Sequence, residues 1–166
     1  MFYLDLFRAL QTHDVQYVVI GGIAVNLHGV ERATMDVDLV LAMDERNLQC
    51  FLRAAAELKL TPTLPVKIES LCDPAQLDEW IREKHMIAFC LRPVSKTAPS
   101  VDIIVRPKVA FDAIYRNRVE KKIGGVLFKL ASVDDLIALK SGTGRNKDAS
   151  DIVALNQVKQ IAAEGK

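Results

Sequence analysis

The chain has 166 residues, of which 50% are hydrophobic and 26% charged, a composition that is ordinary for a soluble globular protein. This length suits a single domain with a sizeable core. The net charge of +1 gives no broad field that would attract nucleic acid or an acidic membrane surface, which leaves a small substrate or a local basic patch.

The cysteines and the chain start indicate the compartment. Cys50, Cys72 and Cys90 are odd in number and match neither a zinc-binding spacing nor a disulfide framework, so they are interpreted as free thiols in a reducing environment. Residues 1–5 carry an acid early and lack the basic region of a signal peptide. No apolar run is long enough to span a bilayer. The expected location is the cytoplasm, with no membrane partner.

The first part of the chain alternates helical and extended patterns. In order, it predicts a helix at 4–11, a strand at 17–20, a helix at 23–28, a strand at 37–41 and a helix from 44–45 through 58. Gly21-Gly22 ends the first strand, and Gly29 is placed to end the second helix. Residues 61–65 are expected to be extended or a loop.

The second part begins with a helix capped by Asp73, with Pro74 at its first position, that reaches about residue 84. Strands follow at 86–91 and 101–105, and the loop 93–100 between them indicates an antiparallel pair. After a short helix at 110–118, Gly124-Gly125 predicts a hairpin between 121–123 and 126–128. The last predictions are a helix from Ser132 to about 141, capped with Asp135 in the capping-box position, and a helix at 148–161, with fraying expected from 162 to 166.

These elements predict an α+β protein with a mixed β-sheet flanked by helices, because the strands do not alternate regularly with helices. No repeat or linker interrupts the chain. We therefore predict a single domain over 1–166, with a catalytic core at about 15–107 and a C-terminal hairpin and helices at about 110–161.

Three acids lie inside apolar segments. Asp36 and Asp38 are two positions apart in a predicted strand, so they share a face and are about 6.6 Å apart at about 3.3 Å per residue. Asp102 lies in another apolar strand and would complete a three-carboxylate site if the two strands were neighbours. Such acids favour Mg²⁺, and a pair of these ions can activate a hydroxyl and stabilise leaving pyrophosphate. The alternative is a pair of solvated acids at a strand end.

Gly21-Gly22 follows the first strand and opens a helix. Without side chains, this turn exposes backbone N–H groups that can approach a phosphate. The alternative is a tight turn with no ligand.

Residues 20–24 (Ile-Gly-Gly-Ile-Ala) and 32–40 resemble the signature of the polymerase-β-like nucleotidyltransferase superfamily. That signature is an apolar residue, Gly-[Gly/Ser], a short helix and Asp-x-[Asp/Glu] in a strand. Residues 136–140 and 145–152 are similar to a second signature, a Leu-x-x-x-Lys helix followed by Arg-x-Lys-Asp-x-x-Asp-Ile. Within the superfamily, the resemblance is closest to small bacterial AbiEii-type and minimal nucleotidyltransferases of toxin-antitoxin systems, in which Arg-x-Thr precedes the acids, as Arg32 and Thr34 do here.

The resemblance implies a nucleotidyltransferase fold and the transfer of a nucleoside monophosphate from a nucleoside triphosphate, ATP for example, to an acceptor hydroxyl. It implies two Mg²⁺ ions, with Mn²⁺ as the alternative, held by Asp36, Asp38 and Asp102 as catalytic residues. The expected nucleotide-binding residues are Gly21, Gly22, Arg32, Thr34, Lys140, Lys147 and Asp148. The acceptor could be a partner protein such as a cognate toxin or antitoxin, a tRNA, or a small molecule such as an aminoglycoside.

Several of these assignments have a competing interpretation. The gap between the glycines and Asp36 is long for the superfamily, and Gly22 stands where many members have serine. Arg32 could pair with Asp36 or Asp38, Thr34 could simply enter the strand, and Asp148 lies where a helix cap belongs. Asp151 is expected to cap or pair locally. The alternative function is a nucleotide-binding or catalytically weak module that acts by binding a partner protein.

Overall fold

The computed structural model describes residues 2–95 and 97–165, and it has the α+β architecture that the sequence predicts. The strands are β1 (Tyr17–Ile20), β2 (Val37–Leu41), β3 (Thr61–Pro62), β4 (Ala88–Arg92), β5 (Val101–Ile104), β6 (Val119–Ile123) and β7 (Val126–Leu130). The helices are α1 (Phe2–Thr12), α2 (Gly21–Leu27), α3 (Glu45–Glu57), α4 (Pro74–Lys84), α5 (Phe111–Arg116), α6 (Val133–Lys140) and α7 (Asn146–Glu164). A short 3₁₀ helix (Ile68–Cys72) precedes α4.

All the strands belong to one mixed sheet, in the order β3-β4-β5-β2-β1-β7-β6. At its centre, β2 pairs antiparallel with β1 and parallel with β5. β4 and β5 form the expected antiparallel pair, although residue 96 of the connecting loop lies outside the described residues. The β6–β7 hairpin forms an edge and joins the centre through a parallel contact between β7 and β1.

Short-range signals in the sequence are confirmed at three helix starts. The side chains of Asp44, Asp73 and Ser132 each accept a hydrogen bond from the backbone N–H three residues later, which satisfies a donor that the helix itself leaves unpaired. Gly124 and Gly125 form the hairpin turn with φ of 56° and 81°, conformations that residues with a Cβ rarely adopt.

Other boundaries differ from the prediction. α2 begins at Gly21, two residues before the predicted start at 23, so the glycine pair opens the helix as its first two residues. α7 begins at Asn146, two residues earlier than expected, and continues to Glu164, beyond the expected end at 161. Part of the segment 61–65 is extended, one of the two expected alternatives, and forms the edge strand β3. Residue 166, at the end of the expected fraying tail, lies outside the described residues.

The core fills both faces of the sheet with aliphatic and aromatic side chains. Phe7 of α1 packs against Tyr17 and Phe128, with ring centroids 5.7 and 4.3 Å apart, and these three side chains are almost fully buried. Trp80 of α4 stacks on Phe89 of β4 at 6.4 Å. Each such burial stabilises the fold by roughly 1.5–3 kcal/mol before the entropy cost of ordering the side chain.

Candidate active site

The parallel pairing of β2 with β5 places Asp38 directly opposite Asp102. Directly paired residues on neighbouring strands point to the same face of a sheet, so the two carboxylates face the same space. Cys90 of β4 lies opposite Asp102 on its other side. The adjacency on which a composite acidic site depends is therefore present, although these residues are far apart in sequence.

The surroundings of Asp38 and Asp102 disfavour the charged forms of both carboxylates. Burial, together with the charges of Asp102 and Asp36, raises the pKa of Asp38 to about 6. Burial likewise raises the pKa of Asp102, whose Oδ1 atom is buried and has no hydrogen-bond partner among the described residues. Burial and the neighbouring Asp102 raise the pKa of the Cys90 thiol to about 11.

Asp36 has a different environment. It lies one residue before β2 and is exposed, and the Ser100 hydroxyl donates to its Oδ1 at 2.7 Å. Within residues 2–95 and 97–165, no group of three or more His, Cys, Asp or Glu side chains is arranged to hold a metal ion. The structure thus brings Asp38 and Asp102 together and holds Asp36 on the neighbouring loop.

Gly21 packs tightly against Asp38 of β2, and Gly22 packs against the loop between α2 and β2. Gly21 has φ of +64°, and a Cβ at this position would stand 1.8 Å from Asp38 Oδ2. A Cβ at Gly22 would stand 2.5 Å from Thr34 Oγ1 and 3.2 Å from Arg32 Cζ. Only glycine fits at position 21, because both the backbone conformation and the close approach exclude a side chain.

A cleft of about 950 Å³ opens over Asp38, Asp102 and the glycine pair. Its cationic lining residues are Arg32, Arg106, Lys108, Lys140, Arg145 and Lys147. Ile87 and Ile104 on the sheet side, and Leu136 and Leu139 on α6, add an apolar stretch. The cleft therefore combines an acidic floor with a basic wall, although the whole chain carries a net charge of only +1.

The basic wall is anchored by two buried carboxylates of α7. Lys140, which is nearly buried, contacts Asp148 Oδ1 at 3.1 Å and Asp151 Oδ2 at 2.8 Å. Asp151 also accepts a hydrogen bond from Arg32. Asp148 accepts further bonds from Thr143 Oγ1 and Arg145 Nε, each at 2.7 Å.

These contacts correct three expectations. Asp148 lies within the first turn of α7 and does not occupy the cap position, which Arg145 takes without a side-chain cap. Asp151 does not pair only locally, because it binds Arg32 from the other half of the chain. Arg32 pairs with Asp151, and not with Asp36 or Asp38 as the alternative interpretation proposed. Burial by itself would raise the pKa of Asp148. The hydrogen bonds from Thr143 and Lys140 stabilise the charged carboxylate more strongly, so the pKa is lowered.

Most of the expected site residues line the cleft. Gly21, Gly22, Arg32, Asp38, Asp102, Lys140, Lys147 and Asp148 do so. Of the expected residues that the structure describes, Asp36 and Thr34 do not line it.

Four of the lining residues that were not predicted as site residues carry a charge or a hydroxyl group. Thr143 lies between Gly142 and Gly144, which only indicate the end of a helix, and Arg145 is the first position of the second signature. Arg106 and Lys108 follow β5 and match no motif in the sequence.

The chain matches the family described as "Nucleotidyltransferase of unknown function (DUF6036)" over residues 4–164. The chain belongs to this family. The family match makes the protein a nucleotidyltransferase, as the sequence predicted, and its fold is the expected one. No curated protein matches the chain significantly.

Solved structures support the same fold. An antigenic nucleotidyltransferase-like protein from Paracoccidioides brasiliensis is 22% identical, with a TM-score of 0.56 over 93% of this chain and 73% of that one. The lincosamide antibiotic adenylyltransferase LnuA, with lincomycin bound, is 15% identical, with a TM-score of 0.59 over 95% and 94%. ANT(2")-Ia in complex with adenylyl-2"-tobramycin is 11% identical, with a TM-score of 0.54 over 98% and 94%. At these identities, the similarity establishes the fold alone.

No helix among the described residues is long and apolar enough to cross a membrane.

Proposed function

We propose that this nucleotidyltransferase transfers a nucleoside monophosphate from a nucleoside triphosphate to the hydroxyl of an acceptor, in the cleft above Asp38 and Asp102. The observation that carries the proposal is the in-register pair of acids on β2 and β5, which faces a cleft with a basic wall. Lys140, Arg145, Lys147 and Arg32 are the groups proposed to bind the triphosphate, because cations form strong charge-assisted bonds with phosphate oxygens.

A divalent cation fits the residues present. The Asp38 and Asp102 carboxylates are oxygen donors on one face, both are raised in pKa, and the Asp102 Oδ1 atom is buried without a partner among the described residues. Asp38 and Asp102 would hold Mg²⁺ or Mn²⁺. The third ligand, Asp36, and a second ion are what the superfamily resemblance implies, since the structure holds Asp36 on the neighbouring loop. When bound, such an ion neutralises the carboxylates, activates the attacking hydroxyl and stabilises the leaving pyrophosphate.

The side chains of the cleft take part in the proton transfer and in the binding of the leaving phosphates. The acceptor oxygen attacks the α-phosphorus, and the bond from this phosphorus to the β-phosphate oxygen breaks, so that its electron pair leaves with pyrophosphate. The hydroxyl proton passes to Asp102, which lies opposite Asp38 on the floor of the cleft and serves as the general base. The basic wall holds the β- and γ-phosphates and stabilises the charge that develops on them.

For the acceptor, we favour a small hydroxyl compound over a partner protein or a tRNA. The net charge of +1 gives little general attraction to a large RNA. Two structurally similar proteins are an adenylyltransferase of lincosamide antibiotics and a protein bound to adenylyl-2"-tobramycin. Four points stay predictions: the AbiEii-type relationship, a toxin-antitoxin setting with a protein partner, the cytoplasmic location, and the division of the chain into a core that ends at about 107 and a C-terminal part that begins at about 110.

The test is incubation of the purified chain with each α-³²P-labelled nucleoside triphosphate, Mg²⁺ and a cell extract that has been separated into small molecules, RNA and protein. We expect label in the small-molecule fraction, and no label with Asp38→Asn. The matched control, Asp112→Asn, changes an exposed carboxylate and should leave transfer intact. Label in RNA or protein would overturn the acceptor class alone, whereas the absence of label in every fraction would overturn nucleotidyl transfer.

A further inference from the structure

Arg32 is held from three directions. Asn26 of α2 binds its backbone twice: Asn26 Nδ2 donates to the Arg32 carbonyl at 3.0 Å, and the Arg32 N–H donates to Asn26 Oδ1 at 3.2 Å. The Arg32 guanidinium donates to Asp151. Its third neighbour is the bare backbone of Gly22, where a Cβ would stand 3.2 Å from Arg32 Cζ. A side chain at position 22 would therefore shift Arg32 slightly, and it would displace Thr34, whose Oγ1 would lie only 2.5 Å from the new Cβ.

Asp151 connects Arg32 with the second cation of the basic wall. Asp151 is only 5% exposed, and its Oδ2 atom binds both the Arg32 guanidinium and, at 2.8 Å, Lys140 Nζ. Arg32 comes from the α2–β2 loop and Lys140 from the end of α6, yet one carboxylate fixes both, and both line the cleft. Asp151 does not line the cleft, so it acts on a ligand only through the cations that it holds.

We propose that Asp151 is a positioning residue that sets Arg32 and Lys140 as a two-cation site for the triphosphate, and that Gly22 provides the space this site requires. The inference rests on the proposed function, because it assigns a role to the basic wall of the same cleft. Arg32 supplies a planar fork that can bind two phosphate oxygens, and Lys140 supplies a compact charge beside it. Holding both cations in advance lowers the cost of ordering them around a ligand.

The two possible effects of Asp151 on anion binding have opposite signs. If Asp151 only neutralises the cations, Asp151→Asn raises the local positive charge and strengthens anion binding. If Asp151 positions them, the same variant weakens anion binding although it removes a negative charge. The sign of the change therefore separates positioning from a merely neutralising role.

The experiment uses inorganic tripolyphosphate with Mg²⁺ as the probe, because all nucleoside triphosphates share this group, and titrates it calorimetrically into the full chain. We expect Arg32→Ala to weaken binding by about tenfold to a hundredfold, as for the loss of a charge-assisted bond. Arg32→Lys, which keeps the charge without the fork, should lose less. Asp151→Asn should weaken tripolyphosphate binding severalfold and orthophosphate binding less, since one phosphate cannot use both cations fully.

The role of Gly22 is tested by a double-mutant cycle. Gly22→Ala should weaken tripolyphosphate binding in the natural chain and weaken it less in Arg32→Ala, because there only the part of its effect that passes through Thr34 remains. Melting temperatures report whether each variant folds; if Gly22→Ala does not, Arg32→Ala and Asp151→Asn decide the question. Asp134→Asn, which removes an exposed ion pair to Lys159, is the matched control and should bind normally.

Equal or tighter binding of tripolyphosphate by Asp151→Asn overturns the positioning role, and unchanged binding by Arg32→Ala overturns the two-cation site. In both cases the natural chain still transfers label, so the proposed function survives. A natural chain that binds no tripolyphosphate and transfers no label overturns both proposals together.

Discussion

Replacing Asp38 by asparagine should stabilise the protein although it removes a group that we place in the active site. Burial and the charges of Asp102 and Asp36 raise the pKa of Asp38 from 3.8 to about 6. One pKa unit corresponds to about 1.4 kcal/mol, so the ionised carboxylate costs the folded state about 3 kcal/mol at pH 8. Asparagine keeps the shape without the charge, but its buried amide carries a desolvation cost of its own.

We therefore expect Asp38→Asn to raise the free energy of unfolding by about 1–3 kcal/mol at pH 8 without metal, which for a chain of this size raises Tm by about 2–12 °C. The folded-state pKa lies above the unfolded one, so the cost is absent below about pH 4 and grows as the pH rises through 6. The advantage of the variant should follow the same course and vanish near pH 4.

Urea denaturation between pH 4 and 8, in EDTA and in Mg²⁺, measures these quantities. Mg²⁺ should stabilise the natural chain and have much less effect on Asp38→Asn, because the cation relieves the repulsion that the substitution removes. Asp112→Asn, an exposed carboxylate, is the control and should show neither effect. The reasoning is refuted if Asp38→Asn is less stable than the natural chain at pH 8, or if its advantage is the same at pH 4.

Three further outcomes follow from individual residues. Gly21→Ala should abolish transfer and lower Tm far more than Gly125→Ala, since both have positive φ but only Gly21 has Asp38 Oδ2 within reach of a Cβ; activity assays and thermal melts compare them. Asp148 has a lowered pKa in the folded state, so its stabilising contribution is present above 3.8 and lost as the pH falls, and Asp148→Asn should flatten the acid limb of a stability–pH curve. Phe51→Ala should cost about 3–5 kcal/mol in urea denaturation because the side chain is fully buried, and a cost below 1 kcal/mol would contradict the placement of α3.

The parts of the fold that the sequence predicted correctly depend on short-range chemistry. The caps at Asp73 and Ser132 and the helix start at Asp44 require only a side-chain oxygen three residues before a backbone donor, and Gly124-Gly125 requires only a turn with positive φ. The start of α7 was missed because Asp148 has the residue type of a cap but uses its oxygens for Lys140, Thr143 and Arg145 instead.

The long-range part of the site required coordinates. The sequence placed Asp38 and Asp102 in apolar strands, but their adjacency was conditional until the β2–β5 register was known. The partner of Asp151 was predicted incorrectly, because 119 positions separate it from Arg32 and ion pairs of that range leave no spacing signal. Arg106 and Lys108 enter the cleft only because β5 ends beside it.

The acidic floor and the basic wall of the cleft differ in how their charges are compensated, and this difference favours one kind of ligand. On the floor, Asp38 and Asp102 are paired across β2 and β5, and burial, together with the charge of Asp36 on both and of Asp102 on Asp38, raises both pKa values. On the wall, Asp148 and Asp151 are already fully engaged by Arg32, Lys140 and Arg145, and Lys147 adds a further positive charge. An anion alone would neutralise the cations of the wall and leave the carboxylates of the floor repelling each other, and a cation alone would neutralise only the floor.

A triphosphate that carries its own divalent cation compensates the floor and the wall together. We therefore expect Mg²⁺ and tripolyphosphate to bind with positive coupling, each raising the affinity for the other. Titration of each ligand with and without the other measures this coupling, and independent binding would contradict the assignment of the floor and the wall to one substrate.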